Sequence, residues 1–432
     1  MSLLSKLGLG RREVRAWAMY DWANSAFWST VITAVFPEFF SSVAAAGLPP
    51  AVATARFATI TTMALVAIAV LSPILGAVAD YAGIRKKMLG AFLALGASAT
   101  AAMALIGEGD WKFAAALFML ANVGVTGTIV FYDSLLPFVA RPDELDRVST
   151  SAFAVGFLGG GLLLALNLAW IVQPGWFGLP NAVAGIHLSF ISVAIWWVAF
   201  SIPLFRHVPE PPREIRPEEA GQHAVVAAFA RVGGTFRELR RYRNACLMLV
   251  AFMLYNDGIQ TIIRLATVYG AEIGIGRDSL IGAILLVQFA GIPFTFLFGL
   301  MADRVGTVRS LYVALTVYAF ICVLAYQMTT ATEFFVLAVA VAAVQGGSQA
   351  LSRSLFASLI PRQSASQFFG FFSVFEKFAG IFGPAIFAAV ATATGSGRGA
   401  ILSVIGFFVV GGGLLAFVNV PEGQRIAREA ER

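Results

Sequence analysis

Twelve apolar stretches, each about as long as a membrane is thick, dominate this sequence. A helix needs about 20 predominantly apolar residues to cross the hydrocarbon core of a bilayer. Inside lipid the backbone polar groups must be satisfied within the protein, so stretches of this kind form helices. They lie at residues 17–40, 57–81, 88–107, 112–138, 148–173, 185–205, 244–271, 279–303, 308–330, 333–360, 367–394 and 399–419. The sequence therefore predicts an all-α membrane protein with twelve transmembrane helices.

The low content of charged residues excludes a soluble globular protein. Only 12% of the 432 residues are charged, whereas a soluble domain carries about 25%. No signal segment with a cleavage site precedes the first stretch, which we therefore predict to be a retained span. Cys246 and Cys322 lie in apolar stretches, where they suit helix packing rather than a disulfide framework. The histidines lack metal-ligand spacing, so neither a metal nor a cofactor is predicted.

A polar stretch at residues 206–243 separates the sixth apolar stretch from the seventh. It contains four prolines and many charged residues, a composition typical of a linker. We therefore expect an N-terminal six-helix bundle at residues 1–205, a cytoplasmic linker, and a C-terminal six-helix bundle at residues 244–432. Within the linker we predict a short amphipathic helix near residues 223–241 that lies flat on the membrane surface.

The basic residues are concentrated on one side of the predicted membrane. The opposite side carries little beyond Arg56, Lys112, Arg277 and Arg398. Because cytoplasmic loops are enriched in Lys and Arg, both termini are predicted to be cytoplasmic in a multi-pass protein of the cell inner membrane. This distribution also explains the net charge of +6 without nucleic acid. The basic side carries Lys6, Arg11, Arg12, Arg15, Arg85, Lys86, Lys87, Arg141, Arg147, Arg304, Arg309, Arg353, Arg362, Arg425 and Arg428.

A short motif occurs twice, after the second and after the eighth stretch. In each copy a Gly is followed by an Asp four residues on, a Gly three further on, and then a basic residue. Asp80 and Asp303 lie 223 residues apart, and the Leu-Pro and Ile-Pro pairs that end the fourth and tenth stretches lie 224 apart. The chain is therefore predicted to contain two pseudo-symmetric six-helix bundles. The copies comprise Gly76, Asp80, Gly83 and Arg85, and Gly299, Asp303, Gly306 and Arg309.

The chemistry of this motif suits a gate. An Asp at the end of one helix can accept hydrogen bonds from the N-terminal N–H groups of a neighbouring helix. The glycines permit close approach and a sharp turn. We predict that both copies hold the cytoplasmic gate shut in one state, together with Arg304 and Arg353; the alternative for a single copy is a simple loop cap.

These motifs resemble those of the major facilitator superfamily, in which such a loop joins helices 2 and 3 and recurs between helices 8 and 9. Tyr81 departs from the pattern, because Arg is usual there. Four further stretches are similar to the vacuole-effluxer family, whose fungal members are autophagy-related amino-acid exporters of the vacuole. The resemblance covers essentially the whole chain and implies a bacterial exporter that works by alternating access. The stretches are YDWANSAF at residues 20–27, YNDG at 255–258, GGSQALSRS at 346–354 and FFGFF at 368–372.

A charge within a span costs about 2.5–3.5 kcal/mol on insertion scales, and four charged residues inside spans seven and eleven are candidates for the site. They are Asp257, Arg264, Glu376 and Lys377. In a facilitator-type bundle spans 1, 4, 7 and 10 line the central cavity, so Asp257 and Arg264 are expected to face water or a partner. Lys377 has two possible roles, pairing with Asp257 or binding an anionic group. Glu376 and Lys377 could equally form a buried pair that fixes helix packing.

The first half contributes candidates nearer the cytoplasmic side. Asp21 and Asp133 could share one proton, which would suit coupling to the proton gradient. In the alternative, Asp21 caps a helix while Asp133 meets Arg141 or Arg147. The neighbouring polar candidates for substrate binding or coupling are Asn24, Ser25 and Tyr132.

A polar stripe runs along the tenth stretch, because Gln345, Gln349 and Arg353 recur every four residues. We expect it to line the cavity and Gln349 to contact the substrate. Asn256 and Gln260, beside Asp257, belong to the same candidate site. Trp22 and Trp28 either line the cavity or anchor the first span at the membrane interface.

The preferred hypothesis is a secondary active transporter that exports a small solute, an amino acid being the substrate that the resemblance implies. Its partners would be the substrate, membrane lipids and protons, and it would act as a monomer. No Walker-type motif is present, so the sequence does not indicate use of ATP. Alternatives are efflux of a drug, metabolite or lipid-like molecule, a membrane-embedded transferase, and a non-transporting sensor or scaffold.

Overall fold

The computed structural model describes residues 3–212, 241–272, 274–394 and 397–431, and within these ranges it is helical and contains no strand. Twelve helical segments are long and apolar enough to cross a membrane, as predicted. We call them spans 1–12. Their bounds are Arg12–Ala44, Ala51–Ala82, Arg85–Leu105, Trp111–Val139, Leu145–Val172, Ala182–His207, Arg243–Ala266, Ser279–Val305, Thr307–Gln327, Ala331–Ser358, Arg362–Thr394 and Gly397–Leu415.

Several spans depart from continuous α-helices, and the departures in spans 1 and 11 bear on the site. Span 1 consists of an α-helix at Arg12–Ala26, a π-helix at Phe27–Val35, a short α-helix at Phe36–Phe39 and a second π-helical turn at Phe40–Ala44. Span 11 is divided into helices at Ala365–Phe378 and Phe382–Thr394, with Gly380 between them at a φ of 93°. Wide π turns and broken helices occur often at functional sites.

Aromatic side chains join the spans of the first half on the side away from the termini. Phe36 stacks on Phe118 with ring centroids 4.4 Å apart and contacts Phe57 and Phe190 at 6.3 and 6.1 Å. These four rings come from spans 1, 4, 2 and 6. Because buried aromatic pairs contribute about 0.5–1.5 kcal/mol each beyond their area, the cluster holds four spans of one bundle together.

Because the described residues contain an even number of spans, the start of span 1 and the end of span 12 lie on one side, which we call the side of the termini. A C-terminal helix at Val420–Glu429 begins at Asn419, whose side chain accepts a hydrogen bond from the backbone of Glu422. It is held against spans 7 and 10 by Asn244, which accepts from the backbone of Asn419, and by Gln424, which donates to Ser358. The helix predicted near residues 223–241 falls largely outside the described residues, so the linker and the division into bundles around it stay predictions.

Candidate functional site

The first copy of the repeated motif joins span 2 of the first half to span 11 of the second, on the side of the termini. Asp80 accepts backbone hydrogen bonds from Ser366 at 3.2 Å and Gln367 at 2.9 Å, where span 11 begins. Arg85 donates to Asp80 at 2.8 Å and to the carbonyl of Gln363 at 2.9 Å. These are the helix-terminal contacts that the motif predicted. We call this group the first latch.

Two glycines make the first latch sterically possible. A Cβ on Gly76 would lie 2.2 Å from the carbonyl oxygen of Ser366, so only glycine lets spans 2 and 11 approach this closely. Gly83 ends span 2 with a φ of 64°, in the left-handed region that favours glycine. The turn then carries the chain to Arg85, which faces back towards Asp80.

The second copy makes a different set of contacts. Asp303 pairs with Arg147 of the opposite half at 2.8 Å, and Thr307 donates to Asp146 at 2.5 Å. Its own basic residues, Arg304 and Arg309, are exposed. We call the Arg147–Asp303 and Asp146–Thr307 pairs the second latch. A Cβ on Gly299 would lie 2.2 Å from the hydroxyl of Thr150, so this latch also depends on close packing of spans 8 and 5.

Replacing Gly76 with Ala should separate the two halves at the first latch. The added Cβ meets backbone, which cannot rotate away, and overpacking of this kind costs about 1–3 kcal/mol. A Ser134→Cys reporter, whose native hydroxyl lies 2.9 Å from that of Ser366, should then be alkylated about tenfold faster, as 1.4 kcal/mol corresponds to a factor of ten. The measurement requires replacement of Cys246 and Cys322 by Ala.

Gly90→Ala is the matched control for this experiment. Its Cβ would meet only the ring of Phe205 at 3.4 Å, an ordinary contact. Unchanged alkylation in Gly76→Ala, or equal acceleration in Gly90→Ala, would show that close approach at the first latch does not govern access to the reporter.

Deeper than the latches, Arg353 of span 10 reaches across to the first half. Its guanidinium donates to Asp133 of span 4 at 3.0 Å, to Asp21 of span 1 at 3.2 and 3.3 Å, and to the hydroxyl and carbonyl of Ser149 at 3.0 and 3.1 Å. The side chains of the three ionic residues are at most 9% exposed. Two carboxylates thus meet one guanidinium, and we call Asp21, Asp133 and Arg353 the buried triad.

Aromatic rings enclose the triad. The guanidinium carbon lies 5.0 Å from the ring centroid of Trp17, 5.6 Å from that of Tyr132 and 4.5 Å from that of Phe153. Trp17 stacks on Tyr132 at 4.5 Å, and its indole donates to the Tyr132 carbonyl at 3.0 Å. Cation–π contact and the exclusion of water strengthen ionic contacts in such a site.

The structure corrects the roles that the alternative interpretation of the sequence gave to Asp21 and Asp133. The alternative pairing of Asp133 with Arg141 or Arg147 is wrong, since Asp133 pairs with Arg353 and Arg147 with Asp303. Asp21 does not cap a helix but binds the same arginine. Beside it, Asn24 donates to the carbonyl of Tyr20 at 2.8 Å. Ser25 packs against span 5, where a Cβ on Gly156 would lie 2.7 Å from its hydroxyl.

Asp257 of span 7 holds the break in span 11. One of its oxygens accepts the backbone N–H groups of Gly380 at 2.7 Å and Gly383 at 2.9 Å, and the other accepts that of Phe382 at 3.1 Å. Asp257 is fully buried. It therefore satisfies the N-terminal donors of the second half of span 11, as an N-cap residue does.

Polar side chains on spans 7 and 10 lie beside this break. Arg264 lies two turns beyond Asp257 on span 7. Unlike the buried Asp257 it is exposed, and it donates to the carbonyl of Gly380 at 3.3 Å. Gln349 donates to Asn256 at 2.7 Å, while the amide nitrogen of Asn256 is buried without a partner. Gln260 and Gln345 are half-buried. The arrangement leaves hydrogen-bond donors free for a ligand.

Lys377 does not form the pair with Asp257 that was one of its two expected roles. Its ammonium lies 3.3 Å from the carboxylate of Glu376 and 4.8 Å from the ring centroid of Trp28 on span 1. The structure thus places Glu376, Lys377 and Trp28 together, where span 11 meets the π-helix of span 1.

A sequence model of the family described as vacuole effluxer Atg22 like matches residues 48–428. The chain belongs to this effluxer family. A relative from Bacillus subtilis (strain 168), an uncharacterized MFS-type transporter called YxiO, is 39% identical over 409 residues, which are 94% of this chain and 95% of the relative. Autophagy-related protein 22 of Coccidioides immitis (strain RS) is 24% identical, with 94% of this chain and 80% of that protein covered.

Solved structures show the fold of this chain. The proton:xylose symporter XylE superposes with a TM-score of 0.70 at 14% identity, over 97% of each chain. The human organic anion transporter MFSD10 superposes with a TM-score of 0.66 at 14% identity, over 94% of this chain and 99% of that one. The chain therefore has the major facilitator fold. Like the relative from Bacillus subtilis, it is a transporter of the major facilitator type and not an enzyme.

Sequence reasoning missed several residues of the candidate site. Trp17 and Ser149 contact Arg353, and Asp146 joins the second latch, but none carried a motif of its own. The break in span 11 could have been predicted, because Gly380 and the Gly383-Pro384 pair interrupt an apolar run. Glycine and proline in mid-span predict a discontinuous helix.

Proposed function

We propose that this protein is a secondary active transporter that exports a small solute, an amino acid, and is coupled to protons. The buried triad is the observation that supports coupling. It combines two carboxylates with one guanidinium at the contact between the halves, so one bound proton would neutralise it. A neutral triad separates more easily than a charged one, because unpaired buried charge is costly.

The contacts between the halves support alternating access. Both latches and the triad join the halves on the side of the termini. We propose that this side is cytoplasmic, in the inner membrane, because it carries most of the basic residues. The transporter would act as a monomer surrounded by lipid. Release of the latches and of Arg353 would open the cytoplasmic side.

The donors beside the break in span 11 support a substrate with a carboxylate. Arg264 uses one hydrogen bond to a carbonyl, and Asn256 has a free buried amide. Because arginine binds carboxylates in a bidentate manner, it suits one end of a zwitterion. The amino-acid substrate itself follows the autophagy-related relatives by analogy.

An imposed pH gradient should drive amino-acid flux in proteoliposomes that contain the purified protein. Asp133→Asn should reduce this gradient-driven flux at least about tenfold, because the triad then holds one carboxylate and one guanidinium and has no need of a proton. Exchange of labelled for unlabelled substrate without a gradient should persist in the variant. Asp143→Asn is the matched control, since its carboxylate belongs to a loop and not to the triad.

Flux that ignored the pH gradient and survived both Asp21→Asn and Asp133→Asn would exclude proton coupling through the triad. A purified protein whose melting temperature did not respond to any member of an amino-acid panel would exclude the substrate class. The two results are independent, so each part of the proposal can fail alone.

A further inference from the structure

The ammonium of Lys377 occupies a position with two partners from different halves of the transporter. Glu376, beside it on span 11, supplies a carboxylate at 3.3 Å. Trp28 on span 1 supplies the face of an indole, with its centroid 4.8 Å from Nζ. A cation within about 6 Å of an indole ring is attracted by the electron-rich face, and Trp is the best aromatic partner.

These partners are also what a substrate ammonium requires. A primary ammonium offers three donors and one positive charge, which a carboxylate and an aromatic face satisfy together. The position is partly exposed, since the side chains of Lys377 and Glu376 are 11% and 25% exposed. Trp28 lies in the π-helix Phe27–Val35 and not in regular α-helix.

A purely structural role explains the pair less well. Neighbouring residues of an α-helix do not face each other, so an ion pair between positions 376 and 377 adds no bond between helices. The buried ion pairs that join the halves differ from this one. In the triad the two partners of each pair come from different spans. Lys377 also has a flexible four-carbon stem, which allows its ammonium to leave while its backbone stays in place.

We infer that Trp28 and Glu376 form the subsite for the primary ammonium group of the substrate, and that Lys377 occupies this subsite in the empty transporter. The inference rests on the proposed amino-acid transport and names one subsite of it. An entering substrate displaces Lys377, whose ammonium stands in for that of the ligand. Asp257 is not part of the subsite, because its oxygens are bound by three backbone N–H groups.

Binding of amino-acid amides to the purified full-length protein tests this subsite. Alaninamide, leucinamide and phenylalaninamide keep the ammonium and lack the carboxylate. Lys377→Gln should tighten their binding between about twofold and thirtyfold, the range set by cation–π energies of about 0.5–2 kcal/mol. Glu376→Gln in the Lys377→Gln background should cancel the gain. Trp28→Phe should retain more of it than Trp28→Ala, with melting temperatures confirming that each variant folds.

N-acetylleucine, which has a carboxylate and no ammonium, provides the control ligand. Its binding should not respond to Glu376→Gln. Amide binding that weakened or stayed unchanged in Lys377→Gln, a gain that survived Glu376→Gln, or no amide binding by any variant would each overturn the subsite. The assay measures binding without transport or a gradient. The subsite can therefore be supported when the flux experiments contradict proton-coupled transport, and it can be overturned when those experiments support it.

Discussion

Arg353→Lys should lower transport at least about 100-fold, although the substitution keeps the positive charge. Arg353 makes five hydrogen bonds to Asp21, Asp133 and Ser149, which lie on three different spans. Lysine has a single ammonium, which cannot reach partners on all three spans. Breaking a buried charge network costs about 3–5 kcal/mol, which exceeds the 2.7 kcal/mol that corresponds to 100-fold.

Under the proposed alternating access, the lower transport rate would result from a change in the populations of the two states, closed or open on the side of the termini. Arg353 belongs to the second half and its three partners to the first, so separation of the halves on the side of the termini would break these bonds. A weakened triad favours the opposite state and slows the return step. Initial rates in proteoliposomes and alkylation of a Ser134→Cys reporter should therefore change together.

Arg428→Lys is the control for this experiment, because Arg428 is an exposed arginine of the same half and belongs to neither latch nor the triad. It should keep transport within about twofold of the wild-type rate, as surface substitutions change stability by about 0.5 kcal/mol or less. If Arg353→Lys transported at the rate of this control, the geometry of the guanidinium would be irrelevant and charge alone would suffice.

The sequence predicted those parts of the molecule that obey a local rule. Lipid requires about 20 apolar residues per span, so each span could be recognised from its own residues. The first latch could be predicted equally well, because the spacing of Gly76, Asp80 and Arg85 is typical of a helix end that approaches the end of another helix. The family could be recognised because the residues within each of its motifs lie close together in the chain.

The partners of the buried charges could not be predicted in this way. Asp21 and Asp133 were recognised as candidates, but their common partner lies 332 and 220 residues away, on a span of the other half. Which faces meet across the halves depends on how the bundles pack, and no periodicity within a span contains that information. The second latch failed to repeat the first for the same reason, since Asp303 meets Arg147 rather than a residue of its own loop.

The role of Asp257 shows a related limit. A carboxylate in mid-span was expected to face water or a charged partner. The structure gives it backbone donors instead, because span 11 breaks beside it and exposes three N–H groups. The expectation considered side chains alone, while Gly380 and Gly383 had already marked where backbone would need a partner.

Asp257→Ala should prevent accumulation of folded protein, or lower its melting temperature by more than any other single substitution considered above. The variant would leave the N–H groups of Gly380, Phe382 and Gly383 without acceptors, and those of the two glycines are buried. Each buried unsatisfied group costs about 1–3 kcal/mol, so the total approaches the 5–15 kcal/mol by which native proteins are stable.

Asp257→Asn separates this structural role from a role of the charge. Its remaining oxygen can accept from Gly380 and Gly383, as Oδ1 of Asp257 does, while its amide nitrogen would face the N–H of Phe382. One donor is then unsatisfied instead of three, so a folded protein with a moderately lowered melting temperature is expected. Transport by this folded variant would show that the carboxylate shapes span 11. A variant that matched wild type in stability yet abolished transport would instead assign the charge of Asp257 to the substrate or the coupling ion.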